Sequence, residues 1–258
     1  MSYVIAVVNN KGGTGKTTST INLGHALANQ KKKILLIDVD SQCNTTSTLL
    51  DGVVIQKSLY DILDGEAQAE EAIYPTEYFN LYVMPNIPET AALEPKILTR
   101  DDRGYSLLRD HLRKYVTSKF DITLLDCPPN LGIFSIAAMI CADSVIVPVE
   151  AGSRYATDGL EKTVELIEAI RENYTPELRF LRLLINKADQ RTTVSRVGIE
   201  TLKEAFGPKV FTTVISLNTD VQQSELVKKT VLRHNPKATA SRQFRTLAKE
   251  LLDIIIEP

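Results

Sequence analysis

Short, mostly apolar runs punctuate the chain at Val4–Val8, Ile34–Ile37, Ile122–Leu125, Val145–Val149, Leu181–Ile185 and Val210–Ile215. Each is four to six residues long and mostly β-branched or leucine, the mark of strands buried on both faces and hence of a parallel sheet. Between them lie stretches with helical periodicity: Thr17–Gln30, Tyr105–Lys119, Ile133–Cys141, Gly159–Asn173 and Val194–Phe206. In Gly159–Asn173, for example, Leu160, Val164, Ile167 and Ile170 recur on one helical face. Alternation over the whole length predicts one doubly wound α/β domain spanning residues 1–258, with a mostly parallel sheet and helices on both faces. The stretch Gln56–Asn80 breaks the rhythm and reads as a short helical acidic insertion, around 56–80, on the same domain. Near the end, Phe244, Leu247, Leu251, Ile254 and Ile255 place a helix over Ser241–Ile256, docked on the body.

Composition narrows the classes. With 258 residues, 43% hydrophobic and 24% charged, the chain is not disordered, collagen-like or of low complexity. No apolar run approaches the roughly 20 residues of a membrane span, and MSYVIAVVNN lacks the basic start of a signal peptide. Cys43, Cys127 and Cys141 show no C-x-x-C spacing, so neither a disulfide framework nor a zinc site is expected, and a reducing cytoplasm fits.

The net charge of -2 conceals strong segregation. Residues 51–94 hold nine acids and one base, Lys57, whereas residues 226–249 hold seven bases and no acid. Residues 95–119 are also basic, seven against three. A local balance of +7 predicts a polyanion surface, with Lys228, Lys229, Arg233, Arg242 and Arg245 as its candidates. Lys237 and Lys249 belong to the same window, but sequence does not assign them a face. No helix-turn-helix signature, zinc spacing or aromatic platform accompanies these residues, so DNA contacts would be to phosphate and independent of sequence.

The first strand runs into Asn9–Asn10–Lys11–Gly12–Gly13–Thr14–Gly15–Lys16–Thr17–Thr18, with a helix behind it. Glycines at 12, 13 and 15 allow a tight turn whose N–H groups face phosphate oxygens. Lys16 supplies charge for the β- and γ-phosphates, the Thr17 hydroxyl suits Mg2+, and the helix start adds its positive end. Asn10 stands where the common phosphate-loop pattern has its first glycine, and a second lysine, Lys11, precedes the turn.

In this form, K-G-G-x-G-K-T-T, the loop resembles the deviant Walker P-loop ATPases (the MinD/ParA family), and within them the ParA/Soj-type partition ATPases. Leu35–Asn44 resembles the family's L-L-I-D-x-D-P-Q-x-N segment, with Ser41 in place of the proline. Asp121–Asn130 resembles its Walker B strand and D-C-P-P turn. The resemblance is sharpest over 3–50 and 119–160 and looser after 175. It implies ATP and Mg2+ as cofactors and a homodimer that sandwiches ATP, with Lys11 reaching the partner's nucleotide. It also implies that Asp40 orients the attacking water, and that Asp38 and Asp126 join Thr17 around the metal. Lys11, Lys16 and Asp40 are thus the candidate catalytic residues. Nucleotide binding falls to Lys11, Gly12, Gly13, Thr14, Gly15, Lys16, Thr17, Thr18, Asn186 and Asn218.

Asn186–Lys187–Ala188–Asp189 spells N-K-x-D, whose Asp reads guanine in GTPases, while the resemblance gives its Asn to adenine; GTP therefore stays open at this point. The family's P-R-N segment survives only as Asn218 in Ser216–Leu217–Asn218, and the arginine of its N-V-R-L-S-E segment is absent from Asn218–Glu225. The resemblance thus implies a weak, partner- and DNA-stimulated ATPase that binds DNA non-specifically and, with a ParB-like partner, positions or segregates DNA cargo on the nucleoid. Two relatives in kind stand beside it: a ParA-like ATPase carrying a non-DNA cargo, and a MinD-like membrane regulator. The acidic ending Asp253–Pro258 would repel anionic lipid, so no membrane partner is expected.

Overall fold

The computed structural model describes residues 2–99, 104–152 and 156–256, with no account of the side chains of 156–159. Part of the basic 95–119 stretch and the last two residues of the acidic ending fall outside that description. Seven strands form one sheet: β1 (Tyr3–Val7), β2 (Ile34–Asp38), β3 (Tyr74–Pro75), β4 (Leu81–Met84), β5 (Ile122–Asp126), β6 (Ser144–Glu150) and β7 (Arg179–Asn186). Their order is β3-β4-β2-β5-β1-β6-β7, parallel throughout except for β3. The helices are α1 (Lys16–Ala28), α2 (Asn44–Leu49), α3 (Leu59–Asp64), α4 (Glu94–Leu98), α5 (Lys114–Lys119), α6 (Ile133–Cys141), α7 (Ala156–Asn173), α8 (Thr193–Phe206), α9 (Thr219–Leu226), α10 (Val231–His234) and α11 (Thr239–Ile256).

Alternate residues of the central strands enter different cores. Leu35 and Ile37 pack with Ala137, Met139 and Ile140 of α6 and Ile167 of α7. Ile34 and Leu36 pack with Leu23 and Leu27 of α1 and Phe244, Leu247 and Leu251 of α11. Two faces buried at a period of two residues explain why these strands read as continuous apolar runs. Each fully buried Leu or Ile contributes about 1.5–3 kcal/mol. The crossover from β1 leads to one side of the sheet and the step from β5 to β6 leads to the other. The C-terminal ends of β1 and β5 therefore form the crevice where ligands of such sheets bind.

Three sequence expectations change. The run Val210–Ile215 is no strand: it touches β7 only through the Leu183–Val210 bridge and scattered bonds such as Phe211 N to Leu183 O, 2.9 Å. The Glu250 carboxylate on α11 takes the N–H groups of Thr212 and Thr213, which removes them from any ladder. Conversely, Leu81–Met84 is a full strand inside the acidic region, and Tyr74–Pro75 adds an antiparallel edge, so the segment around 56–80 is not purely helical. Within Tyr105–Lys119 the α-helix loosens to a π-helical turn at Arg109–Arg113. Among the described residues no helix is long and apolar enough to cross a membrane.

Candidate functional site

The loop between β1 and α1 is braced from both sides. Asn9 donates to Pro148 O at 2.7 Å, and its Oδ1 accepts the N–H of Lys11 at 2.8 Å. Gly13 and Gly15 both have positive φ, 78° and 88°, which an L side chain resists. At Gly15 a second constraint applies, since a Cβ there would meet Asn186 Nδ2 at 2.2 Å. That amide donates to Thr14 O (3.2 Å) and Ser19 Oγ (3.1 Å), while its oxygen accepts Lys187 N–H at 2.9 Å. Asn186 is thus a buried strut between the end of β7 and the loop, a contact invisible to a reading of N-K-x-D alone. Asp189 of the same motif is gripped by Arg191 through Nε and Nη2, at 2.8 and 2.9 Å, and that bond holds its carboxyl below the usual range. A guanine base would have to compete with that grip.

Lys16 is 6% exposed, and its Nζ donates to Lys11 O at 3.2 Å. Burial pulls its pKa below the ordinary lysine value, opposed by the charges of Asp126 and Asp40. Asp38 and Asp126 end neighbouring strands as register partners, so sheet geometry alone sets two carboxylates side by side. Both are fully buried. Burial pushes both pKa values up, and the charge of Asp126 adds to the rise at Asp38. Asp40 follows on the loop, nearly buried, with its Oδ1 accepting the N–H of Gln42 at 3.0 Å.

Two residues that the sequence did not single out complete this corner. Thr45 donates to Asp126 Oδ2 at 2.7 Å, and Thr46 gives both N–H (2.8 Å) and hydroxyl (2.7 Å) to Asp38 Oδ2. The Thr17 side chain acts against the rise of the Asp126 pKa. The remaining oxygens, Asp38 Oδ1 and Asp126 Oδ1, are buried with no protein partner. Such an orphan is costly unless something satisfies it. Hard carboxylate and hydroxyl oxygens beside a phosphate loop are the donor set Mg2+ takes, with phosphates and water filling the rest of its shell. The residues fit the ion.

The other predicted residues lie farther round. Asn218 caps α9, its Oδ1 accepting the N–H of Asp220 at 2.7 Å. Thr18 donates to Glu225 at 2.6 Å. A cleft of about 360 Å3 opens there, lined by Thr17, Thr18, Asn44, Ser47, Lys228 and Lys229 among others. Lys228 is ion-paired with Asp51. Lys229, Arg233 and Arg242 are exposed, and the half-buried Arg245 donates to Pro236 O at 2.8 Å. The five candidates of the basic window therefore divide: two lysines beside the phosphate-loop helix, and three arginines on α10 and α11.

Residues 2–180 match the AAA domain family. The chain is 32% identical over 252 residues to the sporulation initiation inhibitor protein Soj of Bacillus subtilis, covering 97% of this chain and 98% of that protein. To the chromosome-partitioning ATPase Soj of Thermus thermophilus it is 34% identical over 248 residues, 96% and 94% of the two chains. Among solved structures, cobyrinic acid a,c-diamide synthase from Mycobacterium smegmatis, with bound ADP and magnesium, aligns with a TM-score of 0.86. That alignment is at 27% identity and covers 100% of this chain and 96% of that one.

Proposed function

The chain belongs to the ParA/Soj family of partition ATPases, within the AAA-domain match, and on that premise we propose a Mg·ATP-dependent dimerisation switch working as one domain. Its ATP dimer binds DNA without reading sequence, and a ParB-like partner on DNA cargo stimulates hydrolysis and release. The observation that carries this reading is the two-lysine phosphate loop set against the carboxylates that end β2 and β5.

Each residue has a task. The N–H groups of Gly12, Gly13, Thr14 and Gly15 cradle phosphate oxygens, and Lys16 faces the β- and γ-phosphates. Thr17, Asp126 and Asp38 would hold Mg2+, whose positive charge would offset that of the phosphates. Thr18 and Asn218 stand on the nucleotide side, and Asn186 serves binding by holding the loop's shape. Asp40 orients the attacking water. Lys11 adds positive charge to the nucleotide of the opposite subunit, where charge develops during phosphoryl transfer. A site completed only by a second copy makes dimerisation report on ATP. Lys229, Arg233, Arg242 and Arg245, with Lys228 if it leaves Asp51, supply the DNA surface, and dimerisation doubles it. The protein then works in the cytoplasm, on the nucleoid.

Two variants test the switch. Lys16→Ala should lose ATP binding, dimerisation and DNA association together. Asp40→Ala should keep ATP and accumulate as the dimer, because only water orientation is lost. Hydrolysis by Asp40→Ala at the wild-type rate would remove Asp40 from its role.

A further inference from the structure

Asp126, at the end of β5, is held by a hydroxyl from a different element: Thr45, in the first turn of α2. Thr45 is fully buried, and the bond of its Oγ1 to Asp126 Oδ2, 2.7 Å, leaves Oδ1 of that carboxylate without a protein partner. A buried carboxylate with one oxygen so fixed cannot turn freely about its last torsion, so the other oxygen keeps one direction. We propose that Thr45 is a positioning residue for the divalent cation: it presents Asp126 Oδ1 to the ion and ties α2, with the Asp40–Asn44 turn before it, to the metal corner. The proposal rests on the Mg·nucleotide reading above.

Neighbouring bonds allow Thr45 to be changed without undoing α2. Thr46 independently pins the helix to Asp38 by two bonds and accepts the N–H of Asn86 at 3.0 Å. Thr45→Val keeps the β-branched volume and removes only the hydroxyl, so the packing of α2 survives while Asp126 loses a tether. Thr45→Ser keeps the hydroxyl and removes a methyl. A purely packing role would make serine the worse replacement; a positioning role makes valine the worse one.

The test is the Mg2+ concentration needed for half-maximal binding of a fluorescent ADP to the full chain, with unfolding curves run beside it. Loss of a bond that orients a metal ligand typically weakens metal affinity by about 10- to 100-fold. Thr45→Val should therefore raise the half-saturating Mg2+ about 10-fold or more, with Thr45→Ser within about twofold of wild type. A valine variant that titrates like wild type overturns the proposal, as does a serine variant as impaired as valine. If valine prevents folding, Thr45→Ala against Thr45→Ser makes the same comparison. Wild-type ADP binding indifferent to Mg2+ would refute the metal reading itself, and the role of Thr45 with it.

Discussion

Replacing Gly15 with alanine tests the architecture of the phosphate loop, because two separate penalties meet at that atom. Gly15 sits at φ 88° and ψ 31°, a left-handed conformation that costs a residue with a side chain about 1–2 kcal/mol. The new methyl would also stand 2.2 Å from Asn186 Nδ2, and Asn186 is only 3% exposed, so the amide has no open route to water. It must give up its bonds to Thr14 O and Ser19 Oγ, each worth about 1 kcal/mol. Gly15→Ala should therefore destabilise the protein by about 3–4 kcal/mol and Asn186→Ala by about 2 kcal/mol. Once the methyl has displaced the amide, removing the amide costs little more. The double variant should lie near 3–4 kcal/mol, not near the additive 5–6 kcal/mol, a coupling of about 2 kcal/mol. Urea unfolding of the four proteins measures it, and ADP affinity should fall in parallel wherever the loop is distorted. A double variant within about 0.5 kcal/mol of the sum would show that Asn186 and Gly15 do not share the contact.

His25 predicts a pH dependence of stability. Burial, reinforced by Arg245, pulls its pKa from 6.5 to about 4, and its ring bonds Thr230 and stacks on Tyr78. The unfolded chain then binds a proton that the folded chain refuses, so His25's contribution is complete above pH 6.5 and falls as pH drops towards 4, by up to about 3 kcal/mol. The stability difference between wild type and His25→Gln should shrink over that window; a constant difference refutes it. For the DNA surface, four phosphates neutralised per subunit would give a log–log salt slope of about -7 for the dimer. Arg233→Ala with Arg245→Ala should flatten that slope and weaken all DNA sequences alike while ATP dimerisation persists. An unchanged slope moves the surface elsewhere.

What the sequence made legible was whatever a local pattern encodes. Val4–Val8, the glycine turn and Lys16 follow one another directly, so β1, the loop and α1 could be read within a residue or two. The strand Leu81–Met84 was missed because a four-residue run between Asn80 and Pro85, in acidic surroundings, offers little periodicity. The error at Val210–Ile215 has the opposite cause: the run is apolar enough for a strand, but Glu250, 37 residues away from Thr213, takes the N–H groups of Thr212 and Thr213 in its middle. The site shows the same division. Asp38 and Asp126 were nameable from their motifs, but their adjacency depends on strand register. Thr45, Thr46 and the bracing by Asn186 are side-chain bonds between segments 8 to 172 residues apart. The N-T-T stretch following Asp40 was the only local trace of the two threonines.

The most direct test of the switch is the mass of Lys11→Ala in solution, measured by light scattering with Mg2+ and ATP. Wild type should pass from the 28.7 kDa monomer to twice that mass when ATP is added. Lys11→Ala should bind ATP with near wild-type affinity, held by Lys16 and the loop amides, and remain at the monomer mass. A Lys11→Ala protein that doubles its mass with ATP as readily as wild type would contradict the shared site.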